Sequence, residues 1–253
     1  MPFEKKHELL QVSTPYGDPS GPISVFDHGE IKVAFIPRHG YEHTIPPHRV
    51  PYKANLMAMK LLGIRHVMAT CVVGSLRQEI EPGSFVVPSQ FINLTWGRDD
   101  TYDLDQGFIH LPMAQPYCSC IRNSFITSLT ELGYAHYTDG CVAVIQGPRF
   151  STIAESRMLK LLGGDIVNMT QYPEAYFARE LGLCYGVVAS VTDYDVGVPS
   201  SISMQPETME RVLEVFKLNT ERTVRLLKRI LDGPNETFQC SCAQAGIEPY
   251  FKK

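Results

Sequence analysis

Asp193 and Asp195 end the segment Val187-Val188-Ala189-Ser190-Val191-Thr192-Asp193-Tyr194-Asp195, an apolar, β-branched run that closes on two acids. So short and apolar a run reads as a strand buried on both faces. Two acids two residues apart project to the same side of an extended chain. In an open α/β sheet ligands bind just past the carboxyl ends of the strands, so the pair would stand at the mouth of a cleft. Burial there raises a carboxyl's pKa, and a second acid raises it further. A protonated acid can donate to the ring nitrogen of a departing heterocycle, help worth roughly 10²–10⁴-fold in rate. Tyr194, between the acids, points the other way, into packing.

A second group of residues suits an anion. Arg38 and His39 are adjacent and follow a strand, and arginine offers a planar, permanently charged fork to phosphate or carboxylate. Thr170 brings a hydroxyl, and Gly74 lets backbone amides approach a ligand. Phe150, after Gly147-Pro148-Arg149, could stack on a flat ring. An anion held by Arg38, His39 and Thr170 would be the nucleophile at a sugar carbon with an oxocarbenium-like transition state. Holding it in line supplies an effective molarity of about 10⁵ M or more. Each feature has a plainer reading: a solvated turn for the acids, a surface pair for Arg38-His39, a turn for Gly74, a core ring for Phe150. There is no Walker A pattern, no dinucleotide fingerprint and no Gly-x-Ser-x-Gly elbow, so nucleoside-triphosphate and nicotinamide chemistry find no support.

The elements that must position these residues alternate. Strands are expected at 31–37, 66–73, 83–93, 140–146 and 166–170, besides the acid-tipped one, with helices at 52–62, 116–132, 153–162, 173–181 and 206–231. The last is amphipathic, with Met209, Val212, Leu213, Val215, Phe216, Val224, Leu226 and Leu227 as its apolar positions. This is an α/β pattern with a mixed sheet covered by helices. Strand ends at Arg38-His39-Gly40, Thr70 to Gly74, Gln146 to Arg149, Asn168 to Thr170 and Thr192 to Asp195 would gather at one edge of the sheet. With no linker, repeat or low-complexity stretch, the 253 residues read as one domain with an irregular tail from 233 onward.

A formal net charge of −4 argues against bulk nucleic-acid binding, and no run is long and apolar enough to span a membrane. The charged start, Met1 to Leu10, is no signal peptide, so a cytoplasmic location is expected. Of seven cysteines, Cys71, Cys141 and Cys184 lie in apolar runs and read as core thiols. Cys118/Cys120 and Cys240/Cys242 form two Cys-Ser-Cys pairs. Zinc favours longer spacings within a pair, and no histidine sits near either, so no metal is expected. A local Cys240–Cys242 disulfide and free thiols both remain open.

Taken together, Phe35 to Gly40, Pro47 to Asn55, Gly74-Ser75-Leu76, Gly147 to Ser151, Asn168-Met169-Thr170 and Thr192 to Asp195 resemble the trimeric purine nucleoside phosphorylases. The resemblance is nearest to the methylthioadenosine phosphorylases of archaeal and eukaryotic type and runs from about Thr14 to the end of the last helix. It implies a phosphorylase-type α/β three-layer sandwich around a twisted mixed β-sheet, assembled as a homotrimer or a dimer of trimers. It implies phosphorolysis of S-methyl-5′-thioadenosine to adenine and 5-methylthioribose 1-phosphate in purine salvage, with inorganic phosphate as co-substrate and no other cofactor. Arg38, His39 and Thr170, with the strand residues Cys71 and Val72, fall where the family holds phosphate. Met169 matches the residue under the ribose, Phe150 the one against the base, and Asn168 belongs to the same motif. Asp193 and Asp195 match the acids that read N7 and the 6-amino group. A 6-oxopurine enzyme of this fold would carry asparagine at the first acid. His110 matches a histidine lent by a neighbouring subunit to the 5′ end of the nucleoside, and Met209 and Val212 match the wall around the methylthio group.

Four departures from the pattern stand out. The family begins with a strand and a Gly-Gly-Ser-Gly-like loop, whereas this chain starts at Met1-Pro2-Phe3, which would leave backbone groups of the sheet unpaired. Cys71 replaces a threonine beside phosphate, and a thiol is a weak donor. Gln146 replaces a glutamate. Gly197 replaces an aromatic residue, which would open the 5′ pocket. These departures keep three alternatives in view: another purine nucleoside phosphorylase (for adenosine or methylthioinosine), a nucleoside hydrolase, and a non-catalytic phosphorylase-like subunit.

Overall fold

The computed structural model describes residues 7–102, 110–199, 206–233 and 240–244, with the side chains of 206–209 and 211 excepted. Strands β1 (Glu8–Leu10), β2 (Ile23–His28) and β3 (Ile31–Phe35) form a three-stranded antiparallel sheet. The other seven build the main sheet: β4 (His66–Ser75), β5 (Phe85–Val86), β6 (Gln90–Leu94), β7 (His136–Tyr137), β8 (Cys141–Ile145), β9 (Ile166–Asn168) and β10 (Cys184–Tyr194), in the order β6-β8-β9-β4-β10-β5-β7. The five helices are α1 (Tyr52–Leu61), α2 (Ser119–Glu131), α3 (Ile153–Leu161), α4 (Gln171–Glu180) and α5 (Pro206–Leu231).

β10 is buried from Cys184 through Thr192, as a continuous apolar run between two covered faces requires. Its neighbours alternate faces: Val187 packs with Leu56, Ala175 and Phe177 of α1 and α4, while Val188 packs with Phe125 and Leu226 of α2 and α5. Helices therefore cover both sides of a mixed sheet, and the three-layer expectation holds.

The expected helices appear within a few residues of their anticipated ends. The expected strand 83–93 is instead two strands, β5 and β6, with Pro88 between them, because proline has no N–H to give a ladder. β1, β2 and β7 are too short or too polar to have shown in the pattern, and β3 joins β2 rather than the main sheet.

The sheet directions also correct one expectation. β10 runs parallel to β4, but β9 runs antiparallel to β4 and β8 runs parallel to β9. The carboxyl ends of β8 and β9 thus point back along β4, with Asn168 falling beside Val73, instead of pointing the same way as the ends of β4 and β10. β4 pairs with β10 along its length, but with β9 only at Gly74 and Ser75. Among the described residues no strand pairs with the other side of 66–73. That open flank is one wall of the cleft described next.

Candidate active site

A cleft of about 1830 Å³ runs along the open flank of β4. Arg38, His39, Cys71, Val72, Phe150, Asn168, Met169, Thr170, Asp193, Asp195 and Val212 all line it. His110 is exposed and is not among the lining residues. Met209 lies on α5, its side chain outside the described residues. The cleft has two chemically different ends, about four residues apart along β4, or roughly 13 Å at the usual strand rise.

The acid end is built by β4 and β10. Their register shifts between Val191 and Asp193, so Asp193 lies opposite Gly74. Such a bulge re-aims the side chains beyond it. A Cβ at Gly74 would lie 3.6 Å from Asp195 Cβ and 3.7 Å from Asp193 Oδ2, so both acids converge over this glycine, on the same side as expected. Tyr194 turns away and donates to the Gln78 carbonyl at 3.0 Å. Thr192 Oγ1 donates to Asp193 Oδ1 at 2.6 Å. Burial pushes both acids' pKa values up; for Asp193 the Asp195 charge adds to the rise while Thr192 opposes it. For Asp195 the hydroxyl of Ser156 opposes the rise.

Three buried polar atoms of the cleft have no hydrogen-bond partner among the described residues: the acceptor Asp195 Oδ2, the Ser151 hydroxyl and the donor Asn168 Nδ2. Orphans of this kind cost about 1–3 kcal/mol each, a cost that a ligand supplying the missing partners would offset.

The raised acids make stability depend on pH. Over the range between the unfolded and folded pKa values the native state holds protons that the unfolded chain has released. Stability therefore falls as pH rises through that range. Asp193→Asn, uncharged throughout, should melt higher than the parent at about pH 8 and lose that advantage as pH drops towards the ordinary carboxylate range. A melting-temperature difference that does not change with pH would contradict this.

The anion end is made by the segment after β3 and by α4. Arg38 donates through Nε and Nη2 to both oxygens of buried Glu174, the Nη2 bond being 2.6 Å, and through Nη1 to the Thr70 carbonyl at 3.3 Å. Tyr185 donates to the same Glu174 at 2.9 Å. Burial works against the Arg38 cation, and Glu174 more than offsets it, so the guanidinium stays charged. Three of its five N–H groups are spoken for, leaving two for a ligand. His39 Nδ1 lies 2.7 Å from the Ile45 carbonyl, which fixes the ring as its donor and leaves Nε2 an acceptor in the neutral form. Burial, with help from Arg38 and His43, lowers its pKa and favours that neutral form, while the Ile45 bond opposes.

The departures can now be placed. Cys71 receives a hydrogen bond from Gln171 Nε2 at 3.4 Å, and burial pushes its thiol pKa up, so it stays neutral. Gln146 is held by Arg98, whose Nε donates to its side chain at 3.1 Å and whose Nη2 donates to its carbonyl at 2.8 Å. Gly197 is not part of the cleft wall. A Cβ there would meet Ser156 Oγ of α3 at 2.6 Å. Gly147, at φ +62°, lets Met169 pack where a Cβ would meet its sulfur at 2.5 Å.

Arg98 was not singled out by the sequence, because one arginine in a polar loop carries no pattern. It also donates to the Met169 carbonyl at 3.0 Å and the Tyr172 carbonyl at 2.6 Å, tying the ends of β8 and β9 together under Met169. Arg98→Met should lower unfolding stability by about 2 kcal/mol or more in a denaturant melt, since carbonyls lose their donors. Arg98→Lys, which cannot span the same acceptors, should recover only part of the loss.

The match to the phosphorylase superfamily model spans residues 1–232. S-methyl-5′-thioadenosine phosphorylase from Pyrococcus horikoshii is 44% identical over 241 residues, covering 95% of this chain and 91% of the relative. The Mycolicibacterium smegmatis enzyme of that name is 52% identical over 197 residues, covering 78% and 73%. Among solved structures, methylthioadenosine phosphorylase from Schistosoma mansoni in complex with adenine superposes with a TM-score of 0.84 at 36% identity, covering 91% and 86%. A mutant of the Schistosoma enzyme in complex with methylthioadenosine gives 0.83 at 35% identity, covering 91% and 85%. A paired-acid end, an arginine-histidine end and likeness of this extent converge on one assignment: the chain belongs to the phosphorylase superfamily.

Proposed function

We propose that this chain cleaves S-methyl-5′-thioadenosine with phosphate, giving adenine and 5-methylthioribose 1-phosphate. The observation that carries the reading is the convergence of Asp193 and Asp195 over Gly74, across the cleft from Arg38, His39 and Thr170. The relatives' names supply the nucleoside. In this reading Asp193, its pKa raised by burial, gives its proton to N7 as the glycosidic bond lengthens, so the base leaves neutral. Asp195 Oδ2 accepts from the 6-amino group. Phosphate sits on the two spare Arg38 N–H groups with Thr170 beside it, and His39 Nε2 accepts the proton of the monoanion. Phe150 and Met169 flank the base and ribose. Val212, with Leu213, Val215 and Phe216 of α5, gives the apolar wall that a methylthio group needs.

The exposed ring of Phe150 and the exposed α3 residues Met158 and Leu161 suit burial between subunits of a trimer. In that assembly His110 would serve a neighbour's cleft. Among the described residues no helix is long and apolar enough to cross a membrane, and we place the enzyme in the cytoplasm.

The test is adenine release from methylthioadenosine by the 253-residue chain, with and without phosphate. Release that needs phosphate, with methylthioribose 1-phosphate as co-product, is expected. Failure to release adenine in phosphate would overturn the reading. The Arg38–Glu174 ion pair favours one second reading, hydrolysis, because it draws charge away from the anion end. Release at an equal rate without phosphate would select it.

A further inference from the structure

Cys118, Cys184, Cys240 and Cys242 come from three separate parts of the chain, yet their sulfurs all lie within 4.8 Å of one another. Cys118 is the N-cap of α2, Cys184 opens β10, and Cys240 and Cys242 belong to the segment 240–244 near the C-terminus. The Cys184 and Cys240 sulfurs lie 3.1 Å apart. A tetrahedron with metal–sulfur bonds of about 2.3 Å has edges of about 3.8 Å, inside the span these sulfurs cover. The cluster lies among Phe125, Leu129, Val188 and Leu226, away from the residues that line the cleft.

We propose that Cys118, Cys184, Cys240 and Cys242 form a structural tetrathiolate site for a zinc-type divalent ion. The spacing within each Cys-Ser-Cys pair argued against a metal only while each pair was taken as a unit. In the structure the first pair divides, Cys118 joining the cluster without Cys120, and Cys184 joins from the strand. Four thiols and no open position match a closed structural zinc site rather than a catalytic one. Binding forms four Zn–S bonds and releases the remaining thiol protons to solvent, with no change of oxidation state. Disulfide formation here would need an oxidant, whereas coordination needs none. Cys118 stands at the positive end of the α2 dipole, which favours a thiolate.

The ion would fasten the 240–244 segment to the start of β10. That segment already lies close over the turn before the strand, where a Cβ at Gly182 would meet the Ala243 carbonyl oxygen at 3.2 Å.

The test is metal analysis of the full chain purified under reducing conditions without chelator. About one zinc per chain is expected, falling below about one tenth in Cys240→Ser/Cys242→Ser and unchanged in Cys141→Ser. Replacement by cobalt should give the charge-transfer and visible bands of tetrahedral cobalt thiolate, lost in the same double variant. If the reduced, folded chain takes up neither zinc nor cobalt, the proposal is overturned. It is overturned equally if the ion remains bound in the double variant, or if intact mass shows these four cysteines joined as disulfides with no metal.

Discussion

Asp193→Asn should lower adenine release from methylthioadenosine by roughly 10²–10⁴-fold, the usual worth of a general acid. The loss should fall on kcat more than on KM, since an asparagine at 193 still offers a hydrogen-bond donor to N7 but no transferable proton. The variant should also relax specificity. An amide can donate to N7 or to a 6-oxygen, so a 6-oxopurine nucleoside should lose much less, narrowing the preference for adenine. Asp195→Asn should act differently. It presents an N–H₂ toward the 6-amino group and should raise KM for the 6-amino substrate, because two donors would face each other in a buried site. Steady-state rates on methylthioadenosine and methylthioinosine read both effects. A near-normal rate for Asp193→Asn on the 6-amino substrate would remove Asp193 from the role of acid.

The acid end was the most legible part of the sequence. A buried strand with acids at its tip is a local pattern, and the side on which both acids fall follows from the period of a strand. The bulge at Thr192 was not legible, since nothing in Val191-Thr192-Asp193 marks an extra residue, yet it sets Asp193 opposite Gly74. Sheet direction was not legible either. An apolar run such as 141–145 reads the same whichever way it runs, and the antiparallel β9 turns what looked like one edge into a cleft along β4. The anion end shows the same limit. Arg38 and His39 were visible as types, but the partner that takes two of the guanidinium's five donors, Glu174, is distant in sequence and looked like an ordinary helix residue. Arg98 and the gathering of Cys118 and Cys184 around Cys240 and Cys242 are likewise products of tertiary packing that no spacing encodes.

Glu174 is where the second large effect is expected. It is 5% exposed and accepts from Arg38 twice and from Tyr185 once. Glu174→Gln keeps the size but removes the charge, leaving the Arg38 cation without a counter-ion and turning an amide N–H₂ toward its donors. Breaking a buried pair from one side costs about 3–5 kcal/mol, because the remaining charge is uncompensated. The variant should therefore unfold at much lower denaturant than the parent when phosphate is absent. Phosphate offers the missing negative charge. Anything that binds only the native state stabilises it in proportion to the logarithm of its saturation, and the unpaired Arg38 should bind phosphate more tightly than the paired one. Added phosphate should thus raise the melting temperature of Glu174→Gln by more than it raises that of the parent. Sulfate should do so in part, and chloride hardly at all. Arg38→Met/Glu174→Leu separates the two contributions. By removing both charges it should recover most of the stability lost in Glu174→Gln, since an apolar pair replaces a buried ion pair at little cost, while losing the response to phosphate. If phosphate stabilises Glu174→Gln no more than the parent, Arg38 does not face the anion, and the phosphate end of the cleft would have to be built from other residues.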